Sequence, residues 1–214
     1  MKTSSKEASL QQEMVNSISH GAGMLFGFTC IPLLIITAAK NVGTAAILAT
    51  CIYGFGFLMV FTFSTLYHSF QQPGIKQLLK IFDHISIYFL IAGTYTPLII
   101  IFVNNQFGIT ILIALWSVTV AGIFFKIFFT GKFEMVSTII YVLMGLLLLA
   151  GGKRFFTAIP VTIIKLIISG GILYCTGVIF YVWKKYPYHH GVWHLFVLSA
   201  AICHYIAVLK AVQI

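Results

Sequence analysis

His190 and His194 stand four residues apart in "YPYHHGVWHLF", and Ser64 and His68 repeat that interval in "STLYHSF". On a helix this spacing puts two side chains on one face, a turn apart. Three imidazoles around one ion make a zinc set with one position left open, which is the catalytic rather than the closed structural pattern. Zinc held that way lowers the pKa of a bound water toward about 7. Asp83 is the acidic residue, of four, that falls inside an apolar run. A carboxylate there costs roughly 2.5–3.5 kcal/mol on insertion scales, so it needs a partner or a task. The expected task is to accept a proton from the water or to hold a ligating imidazole, with Ser64 donating a hydrogen bond to that water or to a substrate oxygen.

The chain that must position these groups is 60% hydrophobic and 8% charged, with a mean hydropathy of +1.02. Such values lie outside the soluble range and predict an integral membrane protein. Spanning segments satisfy their own backbone hydrogen bonds, and apolar runs of about twenty residues point to helices over barrel strands. The expected fold is an all-α, seven-transmembrane helix bundle. Its spans are placed at 19–39, 44–68, 80–103, 107–126, 134–150, 163–183 and 190–210, after a polar segment 1–18 and before a tail 211–214. The breaks "KNVG", "QQPG", "NNQFG", "TGKFE", "GGKRFF" and "KKYPY" carry the Gly, Pro, Asn or paired charges that end helices. No short apolar core with a small-residue cleavage site follows the polar start, so the first apolar run is expected to stay in the mature protein.

The 13 basic residues, against four acidic ones, are spread through the loops, which reads as a topology signal and not as a nucleic-acid footprint. Eight fall on one side (Lys2, Lys6, Lys76, Lys80, Lys126, Lys132, Lys184, Lys185) and five on the other (Lys40, Lys153, Arg154, Lys165, Lys210). The positive-inside rule then puts the N-terminus in the cytoplasm and the C-terminus outside. On that topology six of the seven histidines share the cytoplasmic face with Asp83, so residues from four helices converge there. Cys30, Cys51, Cys175 and Cys203 lack Cys-x-x-Cys spacing and read as small buried hydrophobes.

His84 and His189, at span ends, read as interfacial residues. Glu13, Asn16, His20 and His204 are candidates for supporting roles. His204 lies ten residues, about 15 Å, deeper than His194 and is expected to bond a neighbouring helix or to act as a polar relay. Gly23 and Gly27 form a close-packing pair. Pro97 should kink the third span and open a cavity, with Thr94 and Thr96 free to bond released carbonyls.

Taken together, "EMVNSISHG", "STLYHS", "FDHISIYFLIAGTYTP" and "YHHGVWHLFVLSAAICH" resemble the bacterial haemolysin III family, related to the progestin and adiponectin receptor proteins and, further off, to the alkaline ceramidases. The resemblance spans nearly the whole chain. It implies seven helices with a cytoplasmic N-terminus in the bacterial plasma membrane. It also implies zinc on His68, His190 and His194, with Asp83 and Ser64 beside the zinc-bound water. Many relatives carry Glu directly after the first histidine of the last motif, where this chain has Gly191.

Three function classes follow. The leading one is a zinc-dependent hydrolase of a lipid amide or ester bond, whose partners are membrane lipids. The second is a sensor or regulator whose zinc staples helices together. The third is an oligomeric pore-forming cytolysin, disfavoured for a monomer because spans four and five carry no polar stripe. A retinal-type protein is excluded by the lack of a buried lysine in span seven, where only Lys210 stands at the outer end.

Overall fold

In the computed structural model, residues 5–147 and 151–214 are described, and among them the secondary structure is helical with no strand. The helices are α1 (Ser5–Asn41), α2 (Thr44–Ser69), α3 (Pro73–Phe102), α4 (Gln106–Phe129), α5 (Glu134–Gly145), α6 (Lys153–Ala158), α7 (Val161–Val182) and α8 (His189–Ala211). Six of them, α1 to α4 with α7 and α8, are long and apolar enough to cross a membrane. Where a fifth span was expected over 134–150, α5 is a shorter apolar helix that ends at Gly145. The last part of that expected span, 148–150, lies outside the described residues.

Helix α1 starts fourteen residues before the expected first span at 19. Nothing between Ser5 and His20 breaks a helix, and Glu7, Ala8, Leu10, Gln11, Gln12 and Glu13 all favour one, so the polar segment continues the same rod. Helix α3 likewise begins at Pro73 rather than residue 80, with proline in the first turn, where its missing N–H is not needed. Pro97 sits inside α3, which is assigned as one continuous helix. Thr94 and Thr96 donate to the carbonyls of Leu90 and Ala92, not to the Gly93 carbonyl that Pro97 leaves without a donor.

Packing is closest between α2 and α3, α7 and α8, and α1 and α2, while α8 also touches α1 and α3. One apolar core joins α1, α2 and α8 around Leu34, Tyr53, Phe57, Phe61 and Ala201. A second joins α3, α4, α7 and the end of α8 around Ile99, Leu115 and Ile163. Gly23 and Gly27 face Phe61 and Leu58 of α2, and a β-carbon at either would run into those side chains. The cysteines are free; Cys30, Cys51 and Cys203 are half-buried and Cys175 is exposed, so they are less enclosed than small buried hydrophobes would be.

Candidate metal centre

His68 occupies the last turn of α2, while His190 and His194 occupy the first two turns of α8. Their ring centroids are 5.2 Å (His68 to His190), 4.9 Å (His68 to His194) and 4.5 Å (His190 to His194) apart. One nitrogen from each ring lies within 4.8 Å of the other two, a set that could hold a metal ion. His68 and His194 are buried, at 4% and 2% exposure. His68 Nε2 and His194 Nδ1 have no hydrogen-bond partner. Buried imidazole nitrogens rarely stay unpaired, and a neutral-nitrogen donor set suits a borderline cation such as zinc. The residues therefore fit a metal.

Helix α1 completes the surroundings through one face. Glu13, Asn16 and His20 are spaced three and four apart, so they rise in a line along the helix. Glu13 Oε2 lies 2.7 Å from His68 Nδ1 and 3.1 Å from Lys76 Nζ. His68 Nδ1–H donates to this carboxylate, which leaves Nε2 as the atom that could ligate a metal. His20 packs its ring 3.7 Å from the His194 ring, and both its nitrogens are buried without a partner. Asn16 Oδ1 is also buried and unpartnered. Side chains of α1 press so close to α8 here that a β-carbon on Gly191 would sit 2.9 Å from Val15 Cγ1 and 3.3 Å from Asn16 Oδ1.

Ser64, one turn before His68 and 1% exposed, shares a cavity wall with Asp83 of α3. Both line a cavity of about 160 Å³ that His20, His190 and His194 also face. From this polar end the cavity runs between α3, α5, α7 and α8 along Leu90, Leu98, Val142, Val178 and Val197 to His204. His204 donates from Nε2 to the Ile167 carbonyl of α7 at 3.2 Å. His189 pairs with the Phe180 carbonyl at 3.2 Å, away from the cluster.

A second polar group was not anticipated. Glu134, at the start of α5, lies 3.2 Å from Lys80 Nζ, 3.6 Å from Lys126 Nζ and 3.7 Å from His84 Nε2. Lys126, counted above among loop residues, is fully buried with its ammonium turned into the bundle. Tyr141 of α5 donates to the His84 carbonyl at 2.9 Å. Sequence reasoning also left Glu13 and His20 in supporting roles, although the 3-and-4 spacing of "EMVNSISH" is the signal that could have placed them on one face.

Comparison with known proteins adds a lineage. A family model described as "Haemolysin-III related" matches residues 8–205. Hemolysin-3 of Bacillus cereus is 38% identical over 200 residues, covering 94% of this chain and 91% of that protein. The hemolysin-3 homolog of Bacillus subtilis (strain 168) is 41% identical over 200 residues, covering 94% of each. Human monocyte to macrophage differentiation factor is a more distant relative, 29% identical over 171 residues, covering 74% of this chain and 68% of that protein.

Proposed function

The chain belongs to the haemolysin-III related family, and from its imidazole cluster beside Asp83 we propose that it is a zinc-dependent hydrolase of lipid amide or ester bonds. Its setting in this reading is a seven-span bundle in the bacterial plasma membrane, N-terminus in the cytoplasm and C-terminus outside, with α5 and the residues after it supplying the fifth crossing. The observation that carries the reading is a reactive polar end and an apolar chamber in one cavity, the first lined by His190, His194, Asp83 and Ser64, the second by Leu90, Leu98 and Val197. That shape suits a carbonyl attached to a hydrocarbon chain.

His68, His190 and His194 would hold the ion, and zinc supplies Lewis acidity toward a carbonyl and toward water. The chain's own groups do the rest. Asp83 takes the proton from the attacking water on a carboxylate oxygen as the new C–O bond forms. It returns that proton to the departing nitrogen or oxygen as the C–N or C–O bond breaks, leaving a carboxylic acid and an amine or alcohol. Ser64, on the same cavity wall, would donate to the Asp83 carboxylate and keep it aimed. Glu13 fixes the His68 ring and its tautomer. Turnover of lipid amides in detergent by the zinc-loaded protein, with His194→Ala as control, tests this; a zinc-loaded protein that turns over neither amides nor esters refutes it.

One observation favours the second reading, a non-catalytic zinc that staples helices. The His20 ring packs against that of His194, and a fourth imidazole would close the site in the structural pattern. Asp83→Asn separates the two. Unchanged metal content with full biological output supports the staple, and unchanged metal content with lost output supports catalysis.

A further inference from the structure

His204 is a half-buried polar group that the proposed reaction does not use. It lines the deep end of the cavity, roughly 15 Å along α8 from His194. Its ring rests on Gly170 of α7, where a β-carbon would collide with it, so the absence of a side chain there makes its seat. Because Nε2 donates to the Ile167 carbonyl, the neutral ring presents Nδ1 as an acceptor. The hydroxyl of Tyr174, whose ring stands edge-on 5.4 Å from that of His204, is buried and has no hydrogen-bond partner among the described residues. Other polar groups at this end are engaged, since Thr94 donates to the Leu90 carbonyl and Tyr95 to the Gly145 carbonyl. Between the two polar ends the lining is mostly apolar, with Leu90, Leu98, Ile167 and Val197.

We infer that His204 and Tyr174 form a second recognition site, for a hydroxyl carried on the hydrocarbon chain of the ligand. The inference rests on the reading that a lipid chain fills the cavity. A hydroxyl both accepts and donates, so it matches a phenol donor beside an imidazole acceptor, whereas a methyl end leaves both unsatisfied in an apolar wall. The distance between the ends selects a chain of roughly a dozen carbons. His204 is therefore a specificity residue, setting the length and terminal polarity of what enters.

The test is equilibrium binding to the purified full chain in detergent, followed through the fluorescence of Trp193, which lines the cavity. Dodecanoic acid is compared with its ω-hydroxy derivative. The hydroxy acid should bind about tenfold tighter, the ratio expected of one buried hydrogen bond. His204→Leu should abolish the difference, and His204→Gln, which keeps an acceptor, should retain part of it. Equal affinities in the unaltered protein, binding of neither acid, or a preference that survives His204→Leu would each overturn the inference. No turnover is read, so failure of the hydrolase reading with this preference intact would show as a separate result.

Discussion

Glu13 Oε2 lies 2.7 Å from Nδ1 of His68, joining α1 to α2 across 55 residues of sequence. A carboxylate on the far nitrogen orients a ligating imidazole and raises its basicity, and loss of such a partner costs about 10–100-fold in metal affinity. Glu13→Gln should therefore retain the fold while losing zinc to a competing chelator about 10–100-fold more readily. Lys76, 3.1 Å from the same carboxylate, should matter less because it is partly exposed. Chelator titration of both variants ranks them.

The three ligands should act as a set. His68→Ala, His190→Ala and His194→Ala should each lower bound zinc from about one per chain to near zero, since a two-imidazole remnant is a poor site. Elemental analysis of the purified proteins reads this directly. Full zinc in His68→Ala, with loss in His20→Ala, would move the third ligand to α1.

Gly191 reports on how tightly α1 and α8 meet. Gly191→Ala places a methyl 2.9 Å from Val15 Cγ1 and 3.3 Å from Asn16 Oδ1, an overpacking expected to cost about 1–3 kcal/mol. The melting temperature in detergent should fall accordingly. The larger Gly191→Glu should fall further unless Asn16 is also made smaller.

Lys126 is a buried cation whose ion-pair partner is Glu134. Glu134→Gln leaves it without that charge and should destabilise the protein by about 1–3 kcal/mol, below the 3–5 typical of a fully buried pair because Glu134 is 31% exposed. Lys126→Met added to that variant should recover most of the loss. Thermal melts of the two single variants and the double form the cycle that checks it.

Local signals were legible in the sequence and distant pairings were not. "KNVG" marks the gap between Asn41 and Thr44, and "QQPG" marks the start of α3 at Pro73, because glycine and proline act on the backbone where they stand. His190 and His194 were placed on one face by helical geometry alone. The meeting of His68 with that pair depends on how α2 and α8 pack, which no spacing encodes; charge-based topology put all three on one membrane face, and the family resemblance implied the same set. Hydropathy located the apolar stretch of α1 but set its start at residue 19, because a polar helix and a polar coil have the same composition. The burial of Lys126 was hidden for a related reason: a lysine near a span end reads as snorkelling outward, and only the position of α5 shows that it turns inward to Glu134.

Helix α1 has 37 residues, about 55 Å of helix with Pro32 in its interior, against a hydrocarbon layer of about 30 Å. Even a tilted rod of that length must leave its first turns among lipid headgroups or in water. Glu13 belongs to those turns, so the brace on His68 is anchored to a part of the protein that feels surface charge and curvature directly. The carboxylate that meets His68 thus stands at the membrane surface and not within the hydrocarbon layer.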